Sequence, residues 1–312
     1  MIMKKDVYIC SKPLQYFNIK NIGNVDNSGD VKILIVEDAF LNASNYVDKI
    51  RRYDNYWDEV LLKDDLRDVY RWLLNNRIHR LYVDNDMSWL IYCLSLFRRI
   101  DEVYVYEEGI GSYSNVREYE VASNKSGLFR RAFRRLLGMG LHFGDSVFCK
   151  GIYLTKPDLY NRRFNSKKGR PFEVSFLQNL QRNETLFLHM TGGLPDILDI
   201  SGKIVLIYAT EWEIPSDILS KFKEESANYD ICYIKPHPHI KHIEMEETDN
   251  IKVLKTPVML ELILSYLLKR NNNITVWHQY STSVVHFLDY IESVPFPIKP
   301  EYESVYKMYT TA

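Results

Sequence analysis

Residues 81–109 read LYVDNDMSWLIYCLSLFRRIDEVYVYEEG and contain a strand, a helix and a second strand in succession. Leu81 to Val83 and Val103 to Tyr106 are short β-branched and aromatic runs, whereas Ser88 to Phe97 is an apolar stretch of helical length. Two strands joined through a helix by short links are parallel neighbours, because a parallel pair needs a crossover of this size. Upstream the alternation continues, with strands at Val7 to Cys10, Val31 to Val36 and Val60 to Leu62 and helices around Ala43 to Arg52 and Leu66 to Asn76. Downstream, Lys125 to Lys168 reads as a basic, Gly-punctuated connector, and a second alternation follows. Its strands are expected at Thr185 to Leu188, Ile204 to Tyr208, Ile231 to Ile234, Ile251 to Leu254 and Ile274 to Val276. Helices fit at Ser216 to Ser226, Val258 to Leu268 and Ser283 to Ile291. The chain is therefore expected to be α/β with two parallel sheets.

The composition supports two domains. At 312 residues, with 46% hydrophobic and 13% aromatic side chains, the chain can bury two cores. Forty basic residues against 41 acidic ones leave a formal charge of -1, which argues against a nucleic-acid partner for the chain as a whole. The four cysteines, Cys10, Cys93, Cys149 and Cys232, are scattered through apolar runs with no C-x-x-C pair, which excludes a disulfide scaffold or zinc cluster and fits a reducing cytosol. Val7 to Cys10 is too short for the apolar region of a signal peptide. The longest uncharged run, Met87 to Phe97, is too short to span a bilayer.

Ligands of open parallel sheets bind beyond the carboxyl ends of the strands, so residues just after a strand are where chemistry is sought. Glu107-Glu108-Gly109 follows the strand Val103 to Tyr106 and continues as Ile110-Gly111-Ser112-Tyr113-Ser114. Adjacent carboxylates repel, which raises the pKa of one and makes it a usable proton acceptor, and the glycines let the backbone turn tightly. Seen alone, E-E-G is also an ordinary acidic turn. Lys235-Pro236-His237-Pro238-His239 follows the strand Ile231 to Ile234, and its two prolines stiffen the backbone that presents His237. An imidazole there can protonate or hydrogen-bond a phosphate near neutral pH. His237, His239 and His242 also allow a metal reading, but no cysteine or carboxylate at a recognised ligand spacing accompanies them, and no metal site is expected. Ser281-Thr282-Ser283 precedes the run Val284 to Ile291, where hydroxyls cap a helix and the helix start forms a phosphate site. Simple capping explains the triplet equally well.

Two Rossmann-like halves without G-x-G-x-x-G or a Walker loop resemble the GT-B glycosyltransferase architecture, two domains facing a central cleft. The halves are expected at residues 1–155 and 156–312. The motif order, Cys10-Ser11-Lys12-Pro13-Leu14-Gln15, then E-E-G-I-G-S-Y-S, K-P-H-P and Y-S-T-S, resembles the bacterial lipooligosaccharide sialyltransferases and their capsular, O-antigen and polysialyltransferase relatives. The resemblance spans residue 7 to about residue 290. It implies an inverting, metal-independent transfer of sialic acid from CMP-sialic acid to a terminal sugar, galactose, of a bacterial surface glycan, with residues 1–155 on the acceptor side and 156–312 on the CMP-donor side. No cofactor is implied. His237 would be the general acid at the cytidylate phosphate and Pro238 its structural partner. Ser281, Thr282 and Ser283 would contact the phosphate or nucleotide, and Lys235, Gly109 and Gln15 would line the substrate site. For the general base the resemblance leaves Glu107, Glu108 and Asp217 in competition, the last standing about twenty residues before the H-P motif.

The lack of a metal also follows from the chemistry. A nucleoside diphosphate leaves with several charges that a divalent ion offsets, whereas a cytidylate develops about one extra negative charge, within reach of one imidazole and a few hydroxyls. A transferase for another CMP-linked nonulosonic or keto sugar, or a GT-B-shaped sugar-nucleotide epimerase, meets the same requirements. The connector adds Arg130, Arg131, Arg134 and Arg135 interleaved with Leu128, Phe129, Phe133, Leu136 and Leu137, a basic amphipathic helix. Either it is an interdomain helix with a solvated basic face, or the segment 128–137 lies on an anionic leaflet and brings a cytoplasmic enzyme to the inner membrane and a glycolipid acceptor. A homodimer is compatible with the composition.

Overall fold

The structure, a computed structural model, describes residues 4–22, 30–40, 42–114, 127–210, 214–237, 240, 247–256, 258–296 and 300–311. They belong to two compact units: Met1–Arg182 with Ser304–Ala312, and Asn183–Glu303.

In the first unit the strands are β1 (Lys5–Cys10), β2 (Val31–Glu37), β3 (Glu59–Lys63), β4 (Ile78–Val83), β5 (Ile100–Tyr106), β6 (Cys149–Leu154) and β7 (Gly169–Pro171). Between them run α1 (Pro13–Lys20), α2 (Ala43–Tyr53), α3 (Leu66–Asn75), α4 (Trp89–Leu96), α5 (Leu128–Leu137) and α6 (Pro157–Phe164). The sheet order is β3-β2-β1-β4-β5-β6-β7, and each adjacent pair is parallel. Strand order reverses between β1 and β4, which opens a crevice beyond their carboxyl ends. The register stacks Tyr8, Tyr82 and Tyr104 across β1, β4 and β5, with ring centroids 4.3 and 5.1 Å apart. Stacked aromatic neighbours on one face fix that register, since a one-residue slip would turn every ring to the other side.

The second unit holds β8 (Ile204–Ala209), β9 (Ile231–Lys235), β10 (Ile251–Val253), β11 (Asn273–His278) and β12 (Glu292–Pro295) in the order β10-β9-β8-β11-β12, all parallel. Its reversal point lies between β8 and β11. The helices include α7 (Phe176–Thr191), which crosses the unit boundary, α8 (Ser216–Glu225), α9 (Leu260–Lys269) and the single turn α10 (Thr282–Val285). The last helix, α11 (Pro300–Thr311), contributes Val305, Tyr306 and Tyr309, all buried.

Four of the expected features take another form. The break between units falls at Arg182/Asn183 rather than at 155/156, because β6 continues through α6 into β7, which pairs with it, and because Ser304–Ala312 belongs to the first unit. Much of the expected connector is thus regular structure. Thr185 to Leu188 is not a strand but part of α7, whose buried Phe176, Leu180, Phe187 and Met190 follow helical spacing. The helix expected over Ser283 to Ile291 ends at Val285 and continues as tight turns, with Phe287 N–H donating to Val284 O at 2.9 Å and Tyr290 N–H to Phe287 O at 2.8 Å. Finally, α5 forms where the basic helix was expected, but its faces are arranged otherwise. Arg134 is buried, whereas Phe129, Phe133 and Leu136 are exposed. The helix stops at Gly138, whose φ of 70° is the left-handed conformation that glycine adopts without strain.

Candidate functional site

In the first unit the polar residues converge where strand order reverses. Ser11 and Lys12 leave β1, Asp84 leaves β4 and Glu107-Glu108-Gly109 leave the neighbouring β5. Pro13 opens α1 at a position that needs no N–H and turns the chain directly into the helix that carries Gln15. Gln15 is buried, its Nε2 donating to Asp84 Oδ2 at 2.9 Å while its Oε1 accepts from Ser11 N–H at 2.6 Å and Ser11 Oγ at 3.0 Å. Its amide is therefore occupied in orienting Asp84, a positioning role rather than the substrate contact expected from the sequence.

Lys12 Nζ forms an ion pair with Glu108 Oε1, both side chains being partly exposed. Such a pair contributes at most about 1 kcal/mol, so an entering ligand can compete for either partner. Burial, and then the charge of Glu108, push the Asp84 carboxyl up to about 7, only partly offset by Lys12 and by the Gln15 hydrogen bond. Asp84 therefore takes up a proton near neutrality beside the Glu108 carboxylate, and Lys12 supplies the countercharge. Nothing in the sequence singles out Asp84, and Lys12 stands there only as part of a motif.

The turn that presents Glu108 is built by its neighbours. Gly109 has φ 139° and ψ -161°, a region essentially reserved for glycine, and Ser112 Oγ accepts the Glu108 N–H at 2.9 Å. Gly109 thus shapes the turn. Glu107 points the other way: it is buried, and its Oε2 accepts from Thr155 N–H at 2.6 Å and Tyr113 OH at 3.0 Å. Burial pushes its carboxyl up to about 7. Glu107 is thereby an anchor for the turn, not a base open to a substrate.

This arrangement yields a stability prediction. Glu107→Ala is expected to destabilise the first unit by about 2–4 kcal/mol, by leaving the buried Tyr113 hydroxyl and the partly buried Thr155 amide without this acceptor. Glu107→Gln keeps an acceptor oxygen and should lose less. The folded-state pKa is raised, so the contribution of the protonated carboxyl is full below the unfolded value near 4 and is lost as pH rises through about 7. Urea unfolding at about pH 5 and about pH 8 should show a larger fall for the native chain than for Glu107→Gln.

In the second unit, Thr210 follows β8, Pro236 and His237 follow β9, and Gln279 to Ser283 follow β11. Thr210 is buried and ties two of these tips together, its N–H donating to Lys235 O at 3.0 Å and its Oγ1 accepting from His237 N–H at 3.0 Å. The backbone of His237 is thus fixed from β8, while its side chain is only half-buried. Lys235 is buried and donates to Thr256 O at 2.8 Å, and burial lowers its pKa to about 8. Its charge faces the buried Glu261 on α9, whose carboxyl also takes a hydrogen bond from Ser283. Lys235, Glu261 and Ser283 brace the floor beneath two motifs, so Lys235 and the Ser283 hydroxyl are turned inward instead of toward a ligand. Glu261 had no signal in the sequence beyond its place in the first turn of a helix.

Ser281 and Thr282 remain at the tip. The Ser281 side chain makes no capping hydrogen bond. Its N–H donates to His278 Nδ1 at 3.1 Å. His278 Nε2 lies 2.8 Å from Ser293 Oγ, and burial lowers the ring pKa to about 4, so His278 is a neutral ring protonated at Nε2. Asp217 is exposed in the first turn of α8, a placement favourable to the helix dipole. Pro238, His239, His242 and the stretch Glu211 to Glu213 lie outside the described residues.

No family model and no curated protein matches the chain. Solved structures do. A UDP-N-acetylglucosamine 2-epimerase from Rickettsia bellii superposes with a TM-score of 0.60 at 13% identity, over 96% of this chain and 81% of that one. The S. aureus MnaA structure with UDP gives 0.58 at 11% identity, over 97% and 82%. The glycosyltransferase SnogD from Streptomyces nogalater gives 0.53 at 11% identity, over 98% and 85%. With the two parallel sheets, these likenesses establish an α/β fold of GT-B type, built from two Rossmann-like domains.

Proposed function

We propose that the chain is an inverting glycosyltransferase that takes sialic acid, or a related nonulosonic acid, from a CMP-linked donor to a sugar hydroxyl of a glycan. The observation that carries this reading is the placement of the three motifs. E-E-G stands beside the reversal point of the first sheet, and K-P-H and S-T-S stand on either side of β8 in the second. In the reaction, the acceptor oxygen attacks the anomeric carbon and gives its proton to the Glu108–Asp84 pair. The bond from that carbon to the phosphate oxygen breaks, and His237 donates a proton or hydrogen bond to the departing cytidylate. Ser281, Thr282 and backbone N–H groups at the β11 tip complete the phosphate contacts.

A second reading rests on the UDP-N-acetylglucosamine 2-epimerases among the structural neighbours, which share this fold at 13% identity or less. Nucleotide preference separates the two. Calorimetric titration of the whole chain is expected to show tighter binding of CMP than of UDP, and the opposite order would favour the epimerase. Turnover with the CMP-linked donor is expected to be unchanged in excess EDTA, because a single-phosphate leaving group needs no divalent ion. Loss of activity in EDTA, restored by Mg²⁺ or Mn²⁺, would point to a nucleoside-diphosphate donor.

A further inference from the structure

The arrangement of α5 against α4 does not belong to the site just described. Phe129, Phe133 and Leu136 recur at i, i+4 and i+7, a spacing that normally marks the buried stripe of a helix. Here the stripe is outermost: Phe129 is 93% exposed, Leu136 83% and Phe133 55%. Trp89, at the start of α4, is 53% exposed and stacks on Phe133 with ring centroids 6.4 Å apart. The ridge is held rigidly from beneath. Arg134 is buried and donates from Nε to Gly140 O at 3.2 Å and from Nη2 to Met87 O at 3.1 Å, and Tyr92 OH donates to Leu137 O at 2.5 Å. The outward direction of these apolar side chains is therefore built into the fold.

The charge around the ridge indicates what covers it. Residues 127–144 contain four arginines and no acidic residue, and residues 87–100 contain two arginines and no acidic residue, although the whole chain carries -1. Arg135 is exposed on α5, and Arg98 and Arg99 follow the exposed Leu96 and Phe97 at the end of α4. A second copy of this surface would bring arginines against arginines, which disfavours self-association. An anionic bilayer meets both features: its headgroups attract the arginines and its interfacial zone accepts large apolar and aromatic side chains.

We infer that Phe129, Phe133, Leu136 and Trp89 form a ridge that inserts into the interface of an anionic phospholipid bilayer, with the neighbouring arginines on its headgroups. Trp89 stands five residues beyond Asp84, so the ridge springs from the carboxyl edge of β4 that also carries the carboxylate pair. The enzyme thereby sits on the membrane with its first-unit site close to the surface, where a lipid-linked acceptor would be presented. This mode differs from a basic face lying flat on a leaflet, since insertion of the apolar stripe leads and Arg134 takes no part. It stands independently of which nucleotide the donor carries.

The test is co-sedimentation of the full chain with vesicles of phosphatidylcholine alone and of phosphatidylcholine with about one-third phosphatidylglycerol, the anionic fraction supplying the surface charge. Partitioning onto the anionic vesicles is expected, weakened by salt. The triple variant Phe129→Ser, Phe133→Ser, Leu136→Ser should bind at least about tenfold more weakly, with an unchanged circular dichroism spectrum, because exposed side chains contribute little to folding. The pair Arg131→Gln, Arg135→Gln should lose affinity for anionic vesicles and flatten the salt dependence. The inference is overturned if the native chain ignores anionic vesicles at low salt, or if the triple variant binds them as well as the native chain. It is equally overturned if sedimentation equilibrium shows a dimer that the triple variant abolishes while vesicle binding is absent.

Discussion

His237→Ala is expected to lower turnover by about 10²- to 10⁴-fold, the usual contribution of a positioned acid or base. The substitution should leave the fold intact, because the hydrogen bond that fixes this position runs from the His237 backbone N–H to Thr210 Oγ1 and survives in alanine. In the proposed mechanism the imidazole acts on the departing phosphate, so the loss should appear in kcat more than in affinity for the donor. Turnover within a few-fold of the native chain, in a variant with native circular dichroism, would remove His237 from the reaction.

Glu108→Gln is expected to reduce turnover by about 10²-fold or more while CMP binds with nearly native affinity, since a base works on the acceptor hydroxyl. Asp217→Asn should leave turnover near normal, because Asp217 is exposed at the start of α8, where its carboxylate suits the helix dipole. The pH profile adds an independent signature. Burial pushes the Asp84 carboxyl up to about 7, so in the proposed mechanism turnover is expected to fall as pH drops through that value and Asp84 takes up a proton. Asp84→Asn removes the group that titrates there, and the limb near neutrality should disappear. A profile flat through pH 7 in the native chain, or a Glu108→Gln variant with normal turnover, would move the base elsewhere.

What could be read from the sequence follows the physics of each element. Strands such as Val31–Glu37 and Ile204–Ala209 lie inside parallel sheets, so they appear as continuous β-branched runs. Thr185 to Leu188 presents the same appearance, and only the burial of Phe176, Leu180, Phe187 and Met190 along a longer segment marks it as helix. In β6, Lys150 and Gly151 interrupt the apolar run, and the strand is held by pairing with β5 and β7 rather than by its own propensity. Long-range pairing of this kind leaves no local mark.

The same limit applies to the site. That chemistry collects after the strands was legible, because the strands and their tips were. Asp84 was not, because its importance comes from β4 lying beside β1, a neighbour distant in sequence. Side-chain direction was hidden as well. Glu107 and Glu108 are adjacent and chemically alike, yet one is buried against Tyr113 and Thr155 while the other meets Lys12. Gln15, Lys235 and Ser283 are polar residues in motif positions whose hydrogen-bonding groups turn inward, to Asp84, Thr256 and Glu261. Low-dielectric surroundings make such inward pairs necessary wherever polar groups are buried, so each motif carries both its working residue and the braces that hold it.

The most direct measurement is release of CMP from CMP-sialic acid by the full chain, with and without a simple galactoside. The expected result is release that depends on the acceptor, accompanied by formation of a sialylated galactoside. No release of CMP under either condition, together with conversion of UDP-N-acetylglucosamine to its 2-epimer, would contradict the transferase and assign the site to the epimerase chemistry of its structural neighbours.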